Sequence, residues 1–376
     1  MKQRVLLISR SLQMGGVEKN TVNLANTLVT QGYEVHILCF KKRYQLKPDE
    51  RVYVHFHDFD RINRLTIIGY VYDLLTRLTL SVVLRKSGFV WRGLYYILYF
   101  RIFLYILEKK YGPVDKMIAR GQGAFEYLWA LKDERFYQVL VCPLPMKNNI
   151  LDKWYTRLIY QGKNSVANST GVKESYLNKM NAYGLKAGDI PVIPNPCPIK
   201  EIQRLADEKV DLPDCPYVVH VGRLTLQKNQ PLLLEAYAES KIDEPLVIVG
   251  SGQEESKLRN LAAKLNITDK VIFVGQKANP YPWMKHARLF VLTSLFEGFG
   301  LVNVESLACG TPVVAVDCPG GIRDILVEEQ SKLIAEPNPQ AIAEKIRYAL
   351  AHPPVIKVEW YQKFDAANVA KMFLQL

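Results

Sequence analysis

The sequence predicts an α/β chain built as two doubly wound halves. Three observations carry that expectation. Short β-branched runs alternate with helix-period stretches along most of the 376 residues. Glycine turns close several of the runs. A proline-rich joint (Pro191, Pro194, Pro196 and Pro198, then Pro213 and Pro216) separates two such series. The length suits one very large domain or two ordinary ones, and 49% hydrophobic with 23% charged residues is a globular composition.

In the first series residues 4–9 read as a buried parallel strand. Gly15-Gly16 follows, then a helix through about Thr30 with Val17, Leu24, Leu28 and Val29 apolar, ended by Gly32. Tyr33–Phe40 is the next strand, completing a βαβ opening. Val52–Phe56, Lys116–Ala119, Val139–Cys142, Ser165–Asn168 and Pro191–Ile193 continue the alternation. The second series has strands at 217–221, 245–249, 270–274, 288–293 and 311–316, with helices at about 229–240, 253–265, 301–309 and 339–351. Val358–Leu376 is helical in pattern and is expected to pack back on the first half. Two such halves imply a cleft, with a ligand at the C-terminal strand ends.

Residues 64–107 break the alternation. They hold ten aromatic residues and six Lys or Arg against one acid, Asp73. Leu94–Leu107 is almost wholly apolar, but at 14 residues with Arg101 inside it is too short to span a bilayer. Two readings stand: an in-plane amphipathic segment on a membrane surface, which we favour, or a pair of core-facing helices. The formal charge of +12 is concentrated nearby, since residues 41–120 carry 16 Lys or Arg against 7 Asp or Glu. Such a surface favours an acidic partner such as anionic lipid. Nucleic acid is suggested by charge alone, and the aliphatic richness of the stretch argues against it. Cys39, Cys142, Cys197, Cys215, Cys309 and Cys318 form no C-x-x-C and read as free thiols of a reducing compartment. The opening residues read straight into a strand, the expectation for a protein without a secretory leader.

Phe296-Glu297-Gly298-Phe299-Gly300-Leu301, with Glu305 a turn into the next helix, is the most informative motif. Strand, glycine turn and helix N-terminus aim free N–H groups and the positive dipole end at one point. Carboxylates there repel phosphate and suit hydroxyls, so the set fits a sugar nucleotide. A helix-capping acid plus a surface Glu is the plain alternative. Gly222-Arg223 with Lys228-Asn229 places two cations in a loop at a strand end, either to clamp a diphosphate or as solvated charges. Gly15-Gly16 either admits a phosphate or makes a tight turn. Gly250-Ser251-Gly252 lacks the third glycine of a dinucleotide fingerprint and reads as a turn. His55, His57, Asp58 and Asp60 read as a strand exit rather than a metal site.

The order of these motifs, from Gly15-Gly16 through Pro194-Asn195-Pro196, Gly222-Arg223, Lys228-Asn229 and Gly250-Ser251-Gly252 to Glu297 and Glu305, resembles the retaining GT-B glycosyltransferases of family 4. The resemblance covers residues 1 to about 350 and is most specific from Val219 to Asp324. It implies a Rossmann-like acceptor domain of residues 1–197 plus about 355–376 and a donor domain of 198–354. Carried over, Arg223 and Lys228 bind the donor diphosphate, Glu305 the ribose, and Glu297 with the Phe299 and Gly300 amides the donor sugar. Gly15 and Gly16 face the β-phosphate and acceptor, Gly222 lines the site, and residues near Gln276 meet the base. The resemblance implies metal-independent transfer of a hexose or N-acetylhexosamine, without a cofactor, from a nucleotide sugar, most naturally UDP-linked. The implied acceptor is a lipid-linked or lipopolysaccharide glycan at the inner face of the cytoplasmic membrane. A sugar-nucleotide epimerase and a non-catalytic membrane scaffold are the rivals. Departures are the missing histidine near Arg120-Gly121-Gln122, which leaves Arg120 or Glu126 as contributors, and Asp324 in place of a glutamate.

Overall fold

A computed structural model describes residues 3–79 and 87–376. Its contacts divide the chain into two compact units: 1–168, 173–196 and 369–376 in the first, 169–172 and 197–368 in the second. Of the aromatic and basic stretch, Leu80–Lys86 lie outside the described residues.

The first unit is a six-stranded parallel sheet in the order β3-β2-β1-β4-β5-β6. The strands are β1 (Arg4–Ser9), β2 (Glu34–Cys39), β3 (Tyr53–Phe56), β4 (Lys116–Arg120), β5 (Phe136–Leu140) and β6 (Asn164–Ala167). β1 is buried along its whole length, as a parallel strand covered on both faces must be. Gly15 caps the helix Gly16–Thr30, whose Leu24, Ala25 and Leu28 pack with Val5, Leu7 and Ile37. Val369, Ala370 and Phe373 join the same core.

Two strand expectations and one domain bound differ in the structure. The fifth strand starts at Phe136 rather than Val139. Its buried polar residue, Gln138, bonds Ser165 Oγ at 2.8 Å and the Ile159 carbonyl at 3.2 Å, so it needs no apolar side chain there. Pro191–Ile193 forms only a single bridge, Ala167 to Val192, because the flanking prolines cannot donate to a ladder. The segment that returns to the first unit begins at Val369, not near 355. Tyr361 and Phe364 are buried in the second core instead.

The 64–107 stretch resolves into two helices on either side of the undescribed residues. Ile67–Leu78 is capped by Thr66, whose hydroxyl accepts from Gly69 N at 3.0 Å. Gly88–Tyr111 runs 24 residues, about 36 Å, so the apolar core at 94–107 understated its length. By length and composition it is the one described helix that could cross a membrane. It is nevertheless built into the unit: Tyr96, Phe100, Phe103 and Leu107 are buried, Trp129 Nε1 donates to Val90 O at 3.1 Å, and Tyr95 donates to buried Asp60 at 2.8 Å. The core-facing reading therefore holds for part of the segment. One face of this helix is core, while its Leu94, Leu98, Ile102 and Ile106 and most of Ile67–Leu78 face outward.

The second unit repeats the plan with order β12-β11-β10-β7-β8-β9, all parallel. The strands are β7 (Val218–Val221), β8 (Leu246–Val249), β9 (Val271–Gly275), β10 (Leu289–Leu292), β11 (Val313–Val316) and β12 (Ile334–Ala335). β12, two residues long, leaves no readable alternation in sequence. The helices Gln230–Ser240, Leu301–Ala308 and Pro339–Ala351 cover the sheet and complete one continuous core.

Candidate active site

The second unit gathers its chemistry at the C-terminal ends of β7, β8 and β10. β7 runs into Gly222-Arg223, and a 3-10 turn at Leu226–Lys228 follows. Asn229, left-handed at φ 49°, turns the chain into the helix Gln230–Ser240. Thr293, just beyond β10, holds this turn by donating to the Lys228 and Asn229 carbonyls at 3.2 and 3.0 Å. Lys228 Nζ then reaches Glu297 Oε1 at 2.6 Å, and Ser294 Oγ donates to the same oxygen at 2.6 Å. The Lys228 and Glu297 side chains are only 15% and 9% exposed, so each needs the other: a buried charge without a partner is costly.

Beneath them His220 is fully buried. Its Nδ1–H donates to the Val291 carbonyl at 2.9 Å, which leaves Nε2 to accept from Gln230 at 3.2 Å. Burial pushes this imidazole down to about 4, so it is neutral and ties β7 to β10. Gln230 Nε2 also donates to the Arg223 carbonyl at 2.8 Å, fixing the backbone from which the exposed Arg223 side chain projects.

The turn Glu297–Gly300 carries the other half of the site. Gly300 sits at φ 85°, ψ 41° and caps the helix Leu301–Ala308. A side chain there is strained and would meet Asn303 Nδ2 at 2.9 Å. Phe299 is buried edge-on against Phe364 at 5.0 Å, which pins the turn. Glu305 lies one turn in, buried, and accepts from Tyr281 Oη at 3.2 Å. Gly250, at φ 153°, follows β8 so closely that a Cβ would overlap the Gly222 carbonyl oxygen. Gln276 is exposed after β9 and accepts from Ser251 Oγ at 3.1 Å.

The fold thus brings Gly222, Lys228 and Glu297 together directly and places Arg223, Phe299, Gly300, Glu305 and Gln276 on loops or helix starts of the same unit. Gly15 and Gly16 belong to the first unit, at the start of the helix after β1. Asp324 accepts from Thr170 N at 2.7 Å, within the second unit. Arg120, in the first unit, is 1% exposed, donates to Asn195 Oδ1 at 2.7 Å and lies over the Phe373 ring. Its Nε and Nη1 are buried with no hydrogen-bond partner among the described residues, and Glu126, the other residue raised in place of the missing histidine, is half-buried. Asp58 and Asp60 each pair with Lys41 at 2.9 Å, and His55 stacks on His36. The sequence reading missed Ser294, His220 and Asn303. Ser294, three residues before Glu297, had a signal in that spacing. Asn303, fully buried with both amide atoms unpartnered among the described residues, had none.

Two Rossmann-like units, with a paired cation and carboxylate at the C-terminal strand edge of the second, define the GT-B class of fold. Residues 203–366 match the family described as "Glycosyl transferases group 1". The chain is 33% identical over 195 residues to the N-acetylgalactosamine-N,N'-diacetylbacillosaminyl-diphospho-undecaprenol 4-alpha-N-acetylgalactosaminyltransferase of Campylobacter jejuni, covering 51% of this chain and 52% of that one. It is 32% identical over 168 residues to the lipopolysaccharide 1,6-galactosyltransferase of Salmonella typhimurium, covering 43% and 45%. The chain therefore matches about half the length of these relatives or less. Among solved structures, Anabaena Alr3699/HepE in complex with UDP superposes with a TM-score of 0.68 at 19% identity, over 100% of this chain and 99% of that one.

Proposed function

We propose that this chain is a retaining, metal-independent glycosyltransferase. It moves a hexose or N-acetylhexosamine from a UDP-linked sugar to a lipid-linked glycan in lipopolysaccharide or surface polysaccharide synthesis. The observation that carries this reading is the Lys228–Glu297 pair, held by Ser294 at the start of the helix Leu301–Ala308.

Arg223 and Lys228 supply two positive charges where a leaving diphosphate gains negative charge. Lys228 meets its carboxylate at 2.6 Å, so a donor phosphate takes up a cation that is already positioned. Glu297 then accepts hydroxyl hydrogen bonds from the donor sugar, and Glu305 from the ribose. In the transfer the bond from the anomeric carbon to the phosphate oxygen breaks. The acceptor oxygen bonds that carbon on the same face, and the leaving phosphate takes the acceptor's proton. No separate base is required.

For the acceptor side, the outward face of Ile67–Leu78 supports a peripheral place on the inner, anionic surface of the cytoplasmic membrane. Ile67 and Ile68 are 85% and 84% exposed, and Leu75 and Leu78 are exposed beside them. The basic contribution is smaller than the sequence suggested, because Arg64 and Arg77 both pair with Asp73, at 2.8 and 3.1 Å. A sugar-nucleotide epimerase would share the donor contacts but has no use for this apolar face.

The test is transfer of labelled sugar from UDP-hexoses and UDP-N-acetylhexosamines into lipid-extractable product with added bacterial membranes, and the product anomer by NMR. Transfer with retention, lost in Lys228→Ala, supports the reading. An altered nucleotide sugar released without transfer would establish the epimerase instead.

A further inference from the structure

The second unit takes residues 169–172 from the stretch of chain that follows β6. They open the helix Thr170–Ala182, and Ser169 meets the turn Glu297–Gly300. Ser169 is fully buried. Its hydroxyl donates to the Gly298 carbonyl at 2.7 Å and accepts from Val172 N at 3.2 Å. Among the described residues it is the one side chain that donates to a carbonyl of this turn.

The neighbouring carbonyls face the same strip of backbone. A Cβ on Gly320, at φ 130°, would overlap the Glu297 carbonyl oxygen. One on Gly321 would fall 2.6 Å from the Phe299 oxygen and 2.9 Å from Ser169 Cβ. The carbonyls of Glu297, Gly298 and Phe299 are thus turned toward Gly320, Ser169 and Gly321. A trans peptide carries its C=O and N–H on opposite sides, so the amides of Gly298, Phe299 and Gly300 are turned away from that strip. Among the described residues none of the three donates to a backbone carbonyl.

The turn therefore offers amide donors beside the carboxylate of Glu297. A hydroxyl can accept from an amide and donate to a carboxylate at once, whereas an ionised phosphate only accepts and is repelled by the carboxylate. We propose that Ser169 is a positioning residue for the donor sugar. Its bond to the Gly298 carbonyl fixes the Gly298–Phe299 peptide and so aims the Phe299 amide at a hydroxyl of the transferred sugar. The inference rests on the proposed function for the identity of the ligand.

The test is calorimetric titration of the parent protein, Ser169→Ala and Ser169→Cys with UDP, UDP-glucose, UDP-galactose and the two UDP-N-acetylhexosamines of the same configurations. Alanine removes the hydroxyl, and cysteine fills its space with a weak donor, so the pair separates the hydrogen bond from packing. Melting curves check that each variant folds. Both variants are expected to bind UDP within about twofold of the parent and the preferred UDP-sugar on the order of tenfold more weakly. A lowered melting temperature with an unchanged ratio of UDP-sugar to UDP affinity would mean that Ser169 only caps its helix, and would overturn the proposal. Equal loss of UDP and UDP-sugar would also overturn it, because the turn would then serve the phosphates. In either case a parent that binds UDP-sugars leaves the donor reading standing. A parent that binds neither UDP nor any UDP-sugar would overturn that reading and this inference with it.

Discussion

Glu126 offers a measurable consequence of the first unit's packing. Replacing it with Gln keeps the shape and removes the charge. In the folded chain burial lifts this carboxyl from 4.5 to about 7. At about 1.36 kcal/mol per pH unit, that difference costs the folded state about 3 kcal/mol once the group is ionised. The folded chain holds the proton more tightly than the unfolded one. Its advantage is therefore complete below pH about 4.5 and is lost as pH rises through about 7. The assay is urea unfolding of the first unit, followed by hydrogen exchange in β4 and β5, for both proteins at pH 5 and pH 8. The expected result is that Glu126→Gln gains up to about 3 kcal/mol relative to the parent between the two pH values. Parallel pH profiles would refute the reasoning, because they would mean that the carboxyl is solvated in the native chain.

Other perturbations follow from the second unit and the outward helix. Lys228→Ala should cut turnover on the order of a hundredfold, read as kcat, since it removes a charge that acts on the leaving group. Gly250→Ala should be among the most damaging small substitutions: it adds a Cβ onto the Gly222 carbonyl at φ 153°, and a melting temperature lowered by several degrees is the check. Ile68→Glu, on a side chain 84% exposed, should leave donor binding intact yet reduce sedimentation with anionic vesicles severalfold. Equal sedimentation would remove the membrane proposal.

Much of this architecture was legible because parallel strands buried on both faces are continuous apolar runs, as in Val5–Ile8 and Val313–Val316. Where the runs carry a satisfied polar residue, as at Gln138, the reading slipped by three residues. Where they are two residues long, as at Ile334–Ala335, it failed. Glycine turns were visible because Gly250 and Gly300 occupy backbone conformations that other residues avoid. The partners of those turns were not. Nothing in the spacing shows that Lys228 closes on Glu297 across 69 positions, or that His220 beneath them is neutral and tied to Val291. The helix Gly88–Tyr111 escaped its true length because its apolar run is interrupted near the start by Arg92 and Gly93 and ends in the charged Glu108-Lys109-Lys110. Whether its apolar face was core or surface depended on Tyr127, Trp129 and Asp60, which lie outside the segment itself.

The central claim is that the second unit binds a nucleotide sugar through Arg223, Lys228, Glu297 and Glu305. The direct measurement is calorimetric titration of the purified protein, without added metal, with UDP-, GDP- and ADP-linked hexoses and N-acetylhexosamines, repeated on Glu305→Ala. The account predicts saturable binding of a UDP-linked sugar that weakens on the order of tenfold or more in the variant. Binding that ignores Glu305, or no binding by any donor with or without anionic vesicles, would contradict it.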